Sequence, residues 1–221
     1  MKYTLTLLMT EFVTHDVKRF ILSKPDGFEF QPGQGVELAI KEAGWEQEAR
    51  PFTPTSLPQD RVLEFTIKGY QEHNGVTRRL HTLPPGAQLL MSDPFGTIHY
   101  KGPGTFIAAG AGITPFIAIL RDLARSKKLT GHALLYSNKT PADVICEQEF
   151  RHYLGERCLL SCTRDSAPGY ERRRFDQAFL EEHIKDFSRH FYVCGPPAFT
   201  SDCLEALKVL GAKAESLVFE R

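Results

Sequence analysis

Thr105-Phe106-Ile107-Ala108-Ala109-Gly110-Ala111-Gly112-Ile113-Thr114-Pro115-Phe116 is the stretch that decides the fold. An apolar run breaks into a glycine-bearing turn, and apolar residues at helical intervals follow, so the segment predicts a strand, a loop and a helix start. Gly110 and Gly112 carry no Cβ. The loop can therefore turn tightly and let a pyrophosphate approach backbone N–H groups at the positive end of the helix. Pro115 suits the first helical turn, where a missing N–H costs nothing. Taken alone the pattern describes a mere connection as well as a phosphate site. Two further segments bear on the choice: RPFT at 50–53 and YVCGPP at 192–197.

Around this centre the second half of the chain alternates. Apolar runs at 105–110, 132–138, 157–163, 190–195 and 215–220 predict strands, and the segments 115–128, 145–154, 176–184 and 199–210 carry apolar residues at helical intervals, with Gly211 closing the last. Unbroken hydrophobic strands between such helices imply a parallel sheet covered on both faces, with ligands at the carboxyl ends of its strands. The first half has another texture. YTLTLL, DVKRFILS, GVELAI and VLEFTIKGY are short runs separated by KPDG, QPGQG and SLPQD, which predicts an antiparallel barrel or sandwich. One helix is expected at GVTRRLHTL, with Thr77 capping its start and Leu80 and Leu83 facing inward. The linker is placed at 100–104, giving domains at 1–100 and 101–221.

The chain has 221 residues, enough for two small domains, and 27 basic residues balance 27 acidic ones. That balance argues against a general binder of nucleic acid or membrane surfaces. No apolar run reaches the length of a membrane span and the start alternates like a strand, so a cytoplasmic protein is expected. Five cysteines without CxxC or Cys/His spacing argue against disulfides, structural zinc and iron–sulfur clusters, leaving an organic cofactor and no metal. Cys146, Cys158, Cys162 and Cys203 read as buried thiols, and His15, His73 and His132 as surface or loop residues. Oligomeric state is not legible.

Arg50-Pro51-Phe52-Thr53 sits on an expected strand, so Arg50 and Phe52 share a face. A guanidinium and a ring there suit an anionic linker and a planar heterocycle, with the Thr53 hydroxyl at the neighbouring edge; an ordinary edge strand reads the same way.

With these segments the chain resembles the ferredoxin–NADP reductase family over nearly its whole length. RPFT is similar to the family's Arg-x-Tyr-Ser flavin motif, GAGITPF to its nucleotide pyrophosphate loop, and Cys194-Gly195-Pro196-Pro197 to its CGPP turn; QPGQGVEL (31–38) and DPFG (93–96) are also similar to family segments. The resemblance implies a β plus α/β architecture: an N-terminal antiparallel Greek-key β-barrel for FAD, followed by a Rossmann-like parallel-sheet domain for NAD(P). It gives the flavin phosphate to Arg50, the flavin ring to Phe52 beside Pro51, and a hydrogen bond near N5 to Thr53. It lays Ile67 and Lys68 along the cofactor. Gly75, Val76 and Thr77 become a diphosphate site that favours FAD over FMN. The nucleotide falls to Gly110, Gly112, Thr114, Pro115 and the turn Cys194 to Pro197, with Cys194 positioning the nicotinamide. Lys139, Arg164 and Arg174 then favour NADPH over NADH. Phe52 stands where Tyr is usual, which implies weaker flavin binding and keeps open a free-flavin reductase. A non-catalytic electron-conduit subunit is the other alternative.

At the end of the sequence, Glu220 matches the family's active-site Glu, but Arg221 is the last residue where an aromatic ring would come next. This implies either a shortened chain or a flavin face open to nicotinamide. The implied activity is hydride transfer from NAD(P)H to FAD, then electron transfer to a small carrier such as ferredoxin or flavodoxin, with Arg78 and Arg79 offered to an acidic partner.

Overall fold

The computed structural model describes residues 1–96 and 98–219. Six strands form one antiparallel sheet: β1 (Tyr3–Phe12), β2 (Val17–Ser23), β3 (Val36–Ile40), β4 (Arg50–Phe52), β5 (Val62–Lys68) and β6 (Gln88–Met91). Their order is β4-β3-β6-β1-β2-β5, in which β6 returns between β1 and β3 in Greek-key fashion. A bridge between Pro54 and Phe65, and the Thr55 N–H donating to the Glu64 carbonyl at 2.7 Å, bring the two ends of the sheet together into a nearly closed barrel. This near-closure shortens the exposed edges that would otherwise template aggregation. Pro51 is tolerated because β4 is an end strand of the ladder. Alternate inward residues, among them Leu5, Leu7, Phe20, Leu22, Leu38, Leu63 and Phe65, fill the barrel.

A short helix, α1 (Val76–Leu80), plugs the barrel with Val76, Leu80 and the following Leu83. Its N-cap is Gly75 and no side chain caps it. Thr77 therefore lies inside the helix, where its hydroxyl accepts from the Tyr70 N–H at 3.4 Å, rather than at the cap that the sequence suggested.

The second sheet is parallel. Its strands β7 (Gly104–Ala109), β8 (Ala133–Asn138), β9 (Cys158–Cys162), β10 (His190–Cys194) and β11 (Leu217–Phe219) lie in the order β11-β10-β7-β8-β9. Four helices cover it: α2 (Thr114–Arg125), α3 (Glu147–Leu154), α4 (Gln177–His183) and α5 (Pro197–Val209). Strand alternation sends Phe106, Ala108 and Tyr192 to the face holding α2 and α3, where Phe116, Leu120 and Phe150 meet them. It sends Ile107, Phe191 and Val193 to the opposite face with Phe179, Cys203 and Leu207. Val17 and Ile98 from the barrel half join the first of these cores, so the two halves share apolar packing.

Two expectations about isolated residues are corrected. His132 is buried, not a surface residue: its ring stacks on Phe106 and its Nε2 is 2.9 Å from the Tyr100 hydroxyl, because the turn into β8 folds under the linker. Cys146 is only half-buried, since it occupies the N-cap of α3 in a left-handed conformation (φ 55°). Cys158, Cys162 and Cys203 are buried, and burial pushes the first two thiols up to about 11 and the third to about 12.

Candidate active site

β7 sits where the strand order of the parallel sheet reverses: β8 runs on one side of it and β10 on the other. The loops leaving β7 and β10 lead to helices on opposite faces of the sheet, α2 and α5, and doubly wound sheets hold their ligands at such a point. Residues 110–113 form a 3₁₀ turn that runs directly into α2, with Pro115 in its first turn. Gly110 has φ +52°, in the left-handed region, and the space beside it is open. Gly112 is required for a different reason: a Cβ there would strike the Cys194 carbonyl oxygen and lie 2.7 Å from the Gly195 Cα. The two loops can approach only because that side chain is absent.

A cavity of about 680 Å³ opens between these loops and the barrel. From the barrel it is lined by Pro51, Phe52, Thr53, Ile67, Lys68 and Thr77. From the parallel sheet it is lined by Gly110, Gly112, Thr114, Pro115, Lys139 and the turn Cys194, Gly195, Pro196 and Pro197. RPFT, the glycine loop and YVCGPP thus meet in one crevice although they are far apart in sequence. Phe52 is half-buried against the barrel core, with Thr53 buried beside it. Lys68 is held by Asp16 at 2.6 Å. Burial works to raise the Asp16 carboxyl, but the Lys68 bond and charge outweigh it and hold the group below the usual carboxylate range.

Several residues named from the sequence lie outside the cavity lining. Arg50 is exposed, donating to Glu48 Oε2 at 3.1 Å and to the Ala49 carbonyl at 2.7 Å. Val76 points into the barrel core and Gly75 caps α1 behind Thr77. Arg164 is exposed, but its N–H donates to the Lys139 carbonyl at 2.8 Å, so the two cations stand on adjoining loops after β9 and β8. Arg174 is exposed on the following loop. Arg79 is not free for docking as expected: its guanidinium is engaged by Glu42 at 2.5 Å, while Arg78 is exposed. Glu220 falls outside the described residues.

The cavity also has walls that the sequence reading passed over. Gly35, which bridges Phe95 and so joins QPGQG to DPFG, lines it together with Thr66 and Tyr70. Ser137, Asn138 and Asp143 line the side beyond β8. The YSN run was legible as a strand end, and strand ends at the reversal point are the positions to inspect.

Residues 4–100 match the model for the oxidoreductase FAD-binding domain, and residues 106–205 match that for the oxidoreductase NAD-binding domain. The chain belongs to the ferredoxin–NADP reductase-like family. As a member, it is 28% identical to an NADH-cytochrome b5 reductase 2 of Mycosarcoma maydis over 83% of this chain and 58% of that protein. It is 25% identical to the ferredoxin–NAD(P)+ reductase component of a Pseudomonas putida naphthalene 1,2-dioxygenase system, over 96% of this chain and 66% of that one. The chain thus spans somewhat under two thirds of the length of these two relatives. A Neisseria gonorrhoeae ferredoxin NADP+ reductase, crystallised with FAD and NADP, shares the reductase fold with a TM-score of 0.85 at 19% identity, over 99% of this chain and 97% of that one.

The crevice of this reductase-like chain suits both groups. An open wall at Gly110, the first residues of α2, Thr114 and Pro115, and the cation Lys139 provide for a dinucleotide's phosphates. A half-buried ring, a buried hydroxyl and an apolar strand end at Ile67 provide for a planar, partly polar heterocycle. Among the described residues no helix is long and apolar enough to cross a membrane.

Proposed function

We propose that this chain is an NAD(P)H-dependent flavoprotein reductase, with NADPH favoured, which reduces FAD held against its barrel and passes electrons singly to a small redox carrier such as a ferredoxin or flavodoxin. One observation carries this reading: Pro51 to Thr53, Gly110 to Gly112 and Cys194 to Pro197 line a single cavity from two domains. FAD, when bound, supplies the conversion of a two-electron donor into one-electron steps. The chain's own residues provide placement. Phe52 packs the heterocycle, the Thr53 hydroxyl orients its polar edge, and the Cys194 to Pro197 turn fixes the nicotinamide against it. Lys139 and Arg164, adjoining after β8 and β9, supply cationic donors for a 2′-phosphate.

The test is an anaerobic absorbance spectrum of the purified protein before and after NADPH or NADH. A flavin spectrum that bleaches within seconds supports the proposal, with NADPH the faster donor. A flavin that neither coenzyme bleaches overturns it and supports the electron-conduit alternative. Lys139→Ala with Arg164→Ala is expected to raise the NADPH half-saturation about tenfold or more while leaving NADH unchanged, the loss of roughly one charge-assisted bond.

A second reading, a reductase of diffusing flavin, is favoured by two specific features. Phe52 has no phenolic hydroxyl, and Arg50 is paired with Glu48 outside the cavity lining. Protein that stays yellow after desalting excludes it.

A further inference from the structure

The guanidinium of Arg121 ties together three elements from both halves of the molecule. It projects from α2, the helix that begins at the nucleotide loop. Its Nη1 donates to the Thr55 carbonyl at 2.8 Å and to Glu64 Oε1 at 2.6 Å, both in the barrel. Its Nε and Nη2 donate to the two carboxylate oxygens of Glu149 on α3, at 2.7 and 3.0 Å. The side chains of Arg121, Glu64 and Glu149 are 19%, 13% and 24% exposed, so solvent screens this triad little.

The barrel partners are themselves fixed. The Thr55 hydroxyl donates to Glu64 Oε1 at 2.8 Å, and the Thr55 N–H donates to the Glu64 carbonyl at 2.7 Å. The Tyr153 hydroxyl donates to Glu149 Oε1 at 3.0 Å. Thr55 follows Thr53 by two residues on the segment that lines the cavity, and Glu64 lies on β5, whose end carries Ile67 and Lys68. The helix that holds the nucleotide loop and the segment that follows the flavin motif are thereby joined through one planar fork. A guanidinium matches such bidentate geometry, whereas an ammonium does not.

We propose that Arg121 is a positioning residue for hydride transfer: it lines no part of the cavity, but its fork sets the pose of the nucleotide-binding half against the barrel, and so the overlap of nicotinamide with flavin. Hydride transfer is steep in distance and alignment, so a small slip between the halves lowers the limiting rate without removing any contact to either ligand. The inference rests on the proposed hydride transfer, and the two fail separately. Wild-type flavin that no nicotinamide bleaches defeats the functional reading, whatever Arg121 does.

The experiment compares wild type, Arg121→Lys, Arg121→Met and the charge-relieved variant Arg121→Met/Glu64→Gln/Glu149→Gln. Three quantities are read: the limiting rate of flavin bleaching by NADPH, the half-saturating NADPH concentration, and the long-wavelength charge-transfer absorbance of nicotinamide stacked on flavin. Small-angle X-ray scattering of each protein before any nucleotide is added gives the relative placement of the halves. The expected result is a limiting rate at least tenfold lower and loss of the charge-transfer band in both Met variants. Half-saturation should stay within about threefold, the scattering maximum dimension should rise, and Arg121→Lys should recover part of the rate. A rate, band and scattering profile equal to wild type in the charge-relieved variant overturn the proposal. If Arg121→Met fails to fold, the charge-relieved and Lys variants decide, and a Lys variant equal to wild type together with an unaltered charge-relieved one counts against it.

Discussion

The Tyr136 hydroxyl, at the end of a fully buried ring on β8, donates a hydrogen bond of 3.0 Å to the carbonyl oxygen of Gly110. The Tyr136 hydroxyl oxygen in turn accepts from the Ile145 N–H at 3.4 Å. Burial raises the phenol far above its ordinary value, so it remains a neutral donor at any working pH. One side chain thus braces the glycine loop from beneath and ties it to the segment leading into α3. Tyr136→Phe is expected to cost about 1–2 kcal/mol of stability, the penalty for leaving buried groups unpaired, and to weaken nucleotide binding roughly fivefold to tenfold. Thermal unfolding and NADPH titration check it; an unchanged half-saturation rejects the bracing role.

Gly110 and Gly112 are expected to fail differently. Gly110→Ala has open space for its methyl but must hold a left-handed backbone, a cost of about 1–2 kcal/mol. That protein should fold and lose nucleotide affinity. Gly112→Ala drives a methyl into the backbone at Cys194 and Gly195, which cannot give way as a flexible side chain would. Flavin should still bind the barrel, while bleaching by NADPH should fall at least a hundredfold. Equal behaviour of the two variants would contradict this assignment.

Stability should fall on mild acidification. Burial lowers both His81 and His132 below the ordinary value of 6.5, against the opposing effect of backbone hydrogen bonds. His81 donates from Nε2 to the Ile67 carbonyl at 2.9 Å and is only 7% exposed. The unfolded chain therefore takes up protons first as pH drops through 6.5, and stability is lost from there down to the lower folded values. Asp16 and Glu149 are held below the usual carboxylate range by Lys68 and Arg121 in spite of burial, so their contribution is present above about pH 4 and disappears only in stronger acid. Calorimetry between pH 7.5 and 5.5, taken as a range around the ordinary histidine value, should show a falling Tm that is flatter in His81→Asn. A Tm that rises on acidification would refute the scheme.

Phe52→Tyr should tighten flavin binding about fivefold, the yield of one neutral hydrogen bond near 1 kcal/mol, since the ring already lines the cavity and only the hydroxyl is missing. Flavin fluorescence after gel filtration measures the retained fraction, and unchanged retention removes Phe52 as the reason for weak binding.

Much of the architecture was legible because its signals are local. The five parallel strands and four covering helices announced themselves as apolar runs and helical intervals, and the glycine loop carried its own turn chemistry. What escaped reading depends on residues distant in sequence. Arg121 looks like an ordinary helix cation until Glu64 and Thr55 arrive from the barrel, 57 and 66 positions away. His132 passes for a loop residue until the linker brings Tyr100 over it. Thr77 has the right type for a cap, yet Gly75 takes that place and the hydroxyl turns to Tyr70 instead. Arg50 shows the converse: its place in a motif says nothing of the Glu48 two residues earlier that draws it outward.

The reversal of strand order at β7 has a consequence for biosynthesis. The glycine loop leaves the ribosome more than eighty residues before Cys194 to Pro197, against which it must close. All six barrel strands precede that turn, so on the proposed function the flavin-side wall is synthesised while the coenzyme pocket is still half built. Nascent molecules should therefore acquire colour before they acquire the capacity to be bleached.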